Sequence, residues 1–349
     1  MERKKTRIIK VGNVLIGGDS PISIQSMTNT LTKDIKSTVE QINKMEEYGC
    51  DIVRCAITDL EDAKAIPEIK KNISIPIIAD IQYDYKLALY ALEYGADGLR
   101  LNPGNIGSLD KVREVVNECK KDNISIRVGV NSGSIKQEFL DEYGGVNENS
   151  MVYSAMEQIK VLEEMDFHDI KVSLKASSVP LTIKTYEKIS ELVDYPLHLG
   201  ITEAGPTWRG TIKSSVGIGS ILSRGIGDTI RISLTTDPVE EVKVAKEILK
   251  SLGLRKDGID IISCPTCGRT KVDLISIVEE AEKRIGDIKK NITVAIMGCA
   301  VNGPGEAREA DIGIAGGSGE GIIFRKGQII KKVPENLLLE SLIEEIEKL

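Results

Sequence analysis

Three cysteines stand out as residues whose type and spacing could do chemistry. Cys264-Pro265-Thr266-Cys267 is followed by thirty-one residues and then Cys299, inside MGCAVNGPGEA. Three thiols at predicted strand ends with glycine-rich surroundings suit an iron–sulfur cluster better than zinc, which prefers four nitrogen or sulfur ligands. No fourth cysteine is near. Glu306, seven residues beyond Cys299, is placed to complete the set with oxygen and to leave one iron open to substrate. The competing readings are a thioredoxin-like redox pair and a zinc site. Cys299 weighs against the first, and the presence of only two histidines, His168 and His198, against the second. Cys50, Cys55 and Cys119 flank a strand or end a helix and read as small buried apolar residues.

A second constellation is cationic. Alternate residues of a barrel strand point inward. On that parity Arg100 goes with Asn102, Arg127 with Gly129 and Asn131, Ser173 with Lys175, and Arg231 with Ser233. Asp80 goes with Gln82, His198 with Thr202, and Arg54 closes its strand. All lie toward the C-terminal ends of their strands, where (β/α)₈ barrels carry their active sites. Five cations, Arg54, Arg100, Arg127, Lys175 and Arg231, converge on two expected inward acids, Asp80 and Glu203. Burying charge without a partner is expensive, and arginine forks match phosphate oxygens. The excess positive charge therefore predicts an anionic, phosphorylated ligand.

The elements that must position these residues follow from hydrophobic periodicity. Eight strand-like runs are read before residue 236: 22-ISIQS, 51-DIVRCAI, 76-PIIADIQ, 98-GLRLN, 125-SIRVGVN, 169-DIKVSLKA, 197-LHLGIT and 229-TIRISLT. Most of the segments between them are amphipathic with helical spacing. The glycine-rich stretch 211–224 is the weakest helix signal. Eight β/α repeats in about 250 residues are the size of a TIM barrel, and no dinucleotide fingerprint follows the first strand. A polar, glycine-bounded link near residues 253–258 divides a barrel, 1–257, from a small α/β domain, 258–349. Its expected elements are strands at 259-IDIIS and 292-ITVAIMG, short strands near Ile312, Ile322 and Ile329, and a helix from about Glu335.

Composition sets outer limits. The chain has 349 residues, 41% of them hydrophobic, ample for a core. A net charge of -7 with 4% aromatics is a poor match to nucleic-acid binding. The basic N-terminus has only a short, glycine-broken apolar stretch. No signal peptide and no membrane-crossing run is read, so a cytoplasmic location is expected.

Together the motifs 25-QSMTNT, 100-RLNPGN, 127-RVGVNSGS, 173-SLKAS, 198-HLGITEAG, 217-GIGSIL, 225-GIGDTIRISL, 264-CPTCGR and 297-MGCAVNGPGEA span nearly the whole chain. The chain resembles the 4-hydroxy-3-methylbut-2-enyl diphosphate synthases of the non-mevalonate isoprenoid pathway, in their two-domain bacterial form. The resemblance implies a TIM barrel followed by a cluster domain related to sulfite reductases. It implies a 4Fe-4S cluster on Cys264, Cys267, Cys299 and Glu306. The implied reaction is reductive ring opening and dehydroxylation of 2-C-methyl-D-erythritol 2,4-cyclodiphosphate. Arg54, Arg100, Arg127, Lys175 and Arg231 would grip the diphosphate, with Asn102, Asn131 and Ser233 adding hydrogen bonds. Glu203 would carry a proton, and Asn302 would approach substrate from the cluster side. Reduced flavodoxin or ferredoxin is the implied donor, and a head-to-tail homodimer the implied assembly. Gln82 departs from the histidine usual in relatives and cannot titrate. Two other classes remain: an iron–sulfur electron carrier or sensor, against which the five cations weigh, and a metal-independent barrel enzyme on a phosphorylated or pterin-like substrate, against which the cysteines weigh.

Overall fold

A computed structural model describes residues 2–256, 258–286, 288–300, 305 and 307–349. The chain divides into two compact units, Met1–Arg255 and Lys256–Leu349.

The first unit opens with an antiparallel hairpin, β1 (Ile9–Val11) and β2 (Val14–Ile16). Eight parallel strands follow: β3 (Ser23–Met27), β4 (Ile52–Ala56), β5 (Ile77–Asp80), β6 (Gly98–Arg100), β7 (Ser125–Asn131), β8 (Ile170–Lys175), β9 (His198–Leu199) and β10 (Thr229–Ile230). Their order is β8-β7-β6-β5-β4-β3-β10-β9, and a parallel bridge between Val172 and Leu197 closes the ring. This is a (β/α)₈ barrel. Outward strand residues such as Val53, Ala79, Leu99, Val128 and Val172 pack with the surrounding helices into one large core.

The hairpin stops the N-terminal end of the barrel. Ile9, Val11 and Ile16 are buried against Ile52 and Ile78, which point inward at the lowest level of β4 and β5. Gly12 makes the hairpin turn with φ +57°, and a side chain there would collide with Pro76, its Cβ only 2.7 Å from that of the proline. Arg3 fastens the segment to the buried Asp228, Nη2 to Oδ1 at 3.1 Å.

Two strands are shorter than their sequence patterns predict. Regular pairing stops at Leu199 and Ile230, although the Arg231 N–H still donates to the Leu199 carbonyl at 2.9 Å. The β8–β9 seam is correspondingly thin, and a side chain reinforces it. The Tyr186 hydroxyl accepts from the Leu174 N–H at 3.0 Å and donates to the His198 carbonyl at 2.5 Å. Burial pushes the Tyr186 phenol up, so it keeps its proton and remains a donor. Tyr186→Phe is expected to leave two buried backbone groups unpaired. The loss should be roughly 1–3 kcal/mol of stability, read by denaturant unfolding; an unchanged midpoint would mean that the seam holds without the hydroxyl.

The glycine-rich segment expected to be a poor helix forms one, Thr207–Leu222. Its glycines serve close packing: a Cβ on Gly217 would stand 2.6 Å from the Ile201 side chain, and one on Gly210 2.4 Å from Leu234.

In the second unit β11 (Asp260–Ser263), β12 (Thr293–Met297) and β13 (Ile312–Gly316) run parallel, and β14 (Glu320–Arg325) and β15 (Gln328–Pro334) continue antiparallel. Helices Leu274–Ile285 and Leu338–Glu347 contribute Leu274, Ala281, Leu342 and Ile346 to a core with Val294, Ile296, Ile312, Ile314 and Ile323. No helix among the described residues is long and apolar enough to cross a membrane.

Candidate active site

Register fixes which side chains share the barrel interior. Arg54 lies level with Ile78, Asp80 with Arg100, Arg100 with Arg127, Arg127 with Lys171, Gly129 with Ser173, and Asn131 with Lys175. A cavity of about 170 Å³ opens at the C-terminal ends of these strands. Arg54, Arg100, Arg127, Lys175 and Arg231 line it, with Asp80, Asn131 and Ser233. Gln82 and Thr202 line it as well. The helix Pro103–Ile106 begins just beyond Asn102. Asn102 is buried one step behind the wall, where its Oδ1 accepts the Gly129 N–H at 3.0 Å. Gly129 and Gly200 are small by necessity: a Cβ would sit 2.9 Å from Ser173 Oγ at the first and 2.6 Å from Lys175 Nζ at the second.

The charges are incompletely matched. Asp80 stands 3.5 Å from Arg54 Nε and 3.4 Å from Arg100 Nη1. Arg54 also donates to Met27 Sδ, at 2.9 Å from Nη2. Arg127, 3% exposed, has no partner at Nε or Nη1, and Arg100 has none at Nε. Burial, then the Arg231 charge, brings Arg54 down to about 10. Burial and the neighbouring guanidinium groups hold both Arg127 and Lys175 well below their ordinary values. Such an array strains against itself until an anion enters.

Two parts of the sequence expectation need correction. Glu203 is not an inward acid: it is exposed on the loop after β9, with φ +53°, and does not line the cavity. Strand parity no longer applies there because pairing has already ended at Leu199. The acid facing Arg231 is Glu241, from the helix Pro238–Ser251, at 3.7 Å. It also accepts from Ser26 Oγ and the Leu234 N–H, each at 3.0 Å. The second is Lys171, a buried inward cation beyond the five expected. It shares the parity of Ser173 and Lys175 but lies deeper in the strand, away from the C-terminal end.

The cysteines of the second unit are the other candidate site. Ser263 pairs with Ile296, so Cys264 and Cys267 leave β11 at the same sheet edge from which the chain leaves β12 toward Cys299. The Lys271 N–H donates to the Gly298 carbonyl at 3.0 Å, tying the two loops together. The Gly298 N–H donates to Cys264 Sγ at 3.2 Å. The Arg269 backbone N–H is the main cause that holds the exposed Cys267 thiol below its ordinary value. Backbone N–H groups aimed at sulfur, on thiols at one edge, fit the thiolate ligands of an iron–sulfur cluster. Among the described residues no three such side chains are grouped closely enough to hold one metal ion. Glu306 and Asn302 lie outside the described residues. By contrast Cys50, Cys55 and Cys119 are buried, and burial pushes the first two up to about 12.

A barrel with a cationic mouth, carried with a small mixed α/β domain whose cysteine-bearing loops follow two paired parallel strands, defines a two-domain barrel enzyme for an anionic substrate. Residues 6–246 match the GcpE TIM-barrel domain and residues 260–348 the GcpE protein C-terminal domain. The chain is 61% identical over 347 residues, 99% of each chain, to the 4-hydroxy-3-methylbut-2-en-1-yl diphosphate synthase (flavodoxin) of Clostridium perfringens. It is 58% identical over 349 residues, 100% of both, to that of Clostridium acetobutylicum. The chain belongs to the GcpE family, the 4-hydroxy-3-methylbut-2-en-1-yl diphosphate synthases.

Among solved structures the barrel resembles a type I 3-dehydroquinate dehydratase from Clostridium difficile, with a TM-score of 0.51, 14% identity and coverage of 71% of this chain and 97% of that one. It also resembles a dihydropteroate synthase from Xanthomonas albilineans, with a TM-score of 0.50, 11% identity and coverage of 70% and 97%. These likenesses concern the fold alone.

Proposed function

We propose that this chain converts 2-C-methyl-D-erythritol 2,4-cyclodiphosphate to (E)-4-hydroxy-3-methylbut-2-enyl diphosphate, opening the ring and releasing a hydroxyl as water at the cost of two electrons. The reading is carried by the excess of inward cations at the mouth of a barrel whose chain belongs to this family throughout its length. Arg54, Arg100, Arg127, Lys175 and Arg231 bind the two phosphates, and Asn131 and Ser233 add hydrogen bonds. Asn102 holds the Gly129 backbone in place. Asp80 orients Arg54 and Arg100, and Glu241 orients Arg231.

A 4Fe-4S cluster on Cys264, Cys267, Cys299 and Glu306 would supply the electrons and a Lewis-acidic iron. Glu203, on the exposed loop after β9, keeps the role of proton carrier that the family resemblance implies, and Asn302 assists from the cluster side. Reduced flavodoxin is the favoured donor, with ferredoxin the other; the relatives' name, "(flavodoxin)", supports the first. The working form is a cytoplasmic homodimer.

The test is anaerobic turnover of the cyclic diphosphate with a chemical reductant. The expected result is formation of the allylic diphosphate by protein that carries labile sulfide. Protein that carries zinc without sulfide, or cluster-loaded protein inert toward the cyclic diphosphate, would overturn the reading.

A further inference from the structure

The cationic lining continues below the cavity. Lys171, Ser173 and Lys175 share the inward parity of β8, and only the last two reach the cavity. Lys171 lies beneath, level with Arg127, is 1% exposed and has no partner for Nζ. His198, level with Thr229, is fully buried with both ring nitrogens unpartnered. Gln25 adds an amide unpartnered at both ends.

The groups facing Lys171 can be named strand by strand. Arg127 comes from β7, Arg54 from β4 and His198 from β9; Arg100 from β6, Arg231 from just beyond β10 and Lys175 from its own strand line the cavity above. Asp80 and Glu241 are the acids, and both already face arginines. Six cations, four of them buried, therefore share this interior with two carboxylates. Guanidinium gives up its proton least readily, so an ammonium must yield first. Burial, then Arg127 and Arg54, brings Lys171 down to about 7, and burial with Lys175 keeps His198 neutral.

We propose that Lys171 is a positioning residue that takes up a proton from solvent when an anion fills the mouth, so that anion binding and protonation of its Nζ are coupled. This rests on the reading of the mouth as a diphosphate site. The event moves one proton from buffer to the Nζ lone pair and breaks no other bond. The cyclic diphosphate has one strongly acidic hydroxyl on each phosphorus and does not titrate near neutrality, so the proton counted belongs to the protein. Lys175 is also driven toward its neutral form in the empty site, and variants at position 171 separate the two contributions.

The linkage has a definite sign. Affinity contributed by Lys171 is fully present below about pH 7, where the free enzyme is already protonated. It is lost as pH rises above that value, by up to about tenfold per pH unit. The experiment is calorimetric titration of anaerobically purified full-length enzyme with the cyclic diphosphate, in HEPES and in Tris, across pH 6–9. Wild type should take up protons at pH 8. Lys171→Arg, which stays charged, and Lys171→Met, which never is, should each take up about one proton fewer. Binding without uptake in wild type, or the same uptake in a folded variant, would overturn the coupling alone. Absence of binding would instead bring down the diphosphate reading, and the coupling with it.

Discussion

Cys264→Ser, Cys267→Ser and Cys299→Ser should each strip the anaerobically prepared enzyme of its iron-dependent visible absorbance and bring turnover below detection. Hydroxyl is a poor substitute for thiolate toward iron, because it is harder and is not ionised at neutral pH. The structure supplies the contrast that makes the experiment informative. Cys264 and Cys299 are partly exposed and Cys267 is exposed, at one sheet edge, while Cys119 is fully buried in the helix Leu109–Asp122. Cys119→Ser should keep the cluster, at the cost of placing a hydroxyl among apolar neighbours. Sulfide and iron determinations on the four variants, beside electron paramagnetic resonance of the reduced protein, distinguish the cases. Retention of the parent spectrum in any of the three edge variants would remove that cysteine from the ligand set.

The second large effect concerns the clamp. Arg127→Met and Lys175→Met should each weaken binding of the cyclic diphosphate by roughly 1.5–3 kcal/mol, about tenfold to a hundredfold. The cluster content should not change. Stability should move the other way. Arg127 has two unpartnered nitrogens among like charges, so its removal leaves no new unsatisfied partner at those atoms and relieves repulsion. The ligand-free variant is expected to melt at or above the parent's temperature, as at sites where function is held at the expense of stability. Weaker binding with a lower melting temperature would mean that Arg127 supports the barrel; unchanged binding would mean that it does not meet the substrate.

How far the site can be read from sequence depends on the element that carries each residue. Parity works for Arg54, Asp80, Arg100, Arg127, Lys175 and Arg231 because parallel strands in register place alternate side chains on one side. It extends to Lys171 as well, which carries the same alternation signal but lies short of the strand end. Glu241 is different in kind. It reaches the interior from a helix, and helical periodicity marks it only as one more residue near an apolar face. Parity does not carry to Glu203, because its loop follows the last paired residue, where φ angles rather than strand alternation decide direction. The helix Thr207–Leu222 was obscured by glycines whose purpose, close approach to Ile201 and Leu234, is visible only once those partners are placed. Eight strands were legible as a count, but the brevity of β9 and β10 was not, because it reflects how neighbouring chains diverge at the seam.

The hairpin at the foot of the barrel makes the interior a cul-de-sac. With Ile9, Val11 and Ile16 sealed against Ile52 and Ile78, the floor is greasy and shut, and among the described residues the ionic chamber above it opens at the mouth. Whatever enters among the arginines has no rear exit through the described residues. It must leave past whatever is entering, and spent ligand must retreat along the path by which fresh ligand comes. Traffic of this kind runs last in, first out. A molecule wedged at the doorway thus does more than compete for the arginines: it imprisons what already lies beneath it.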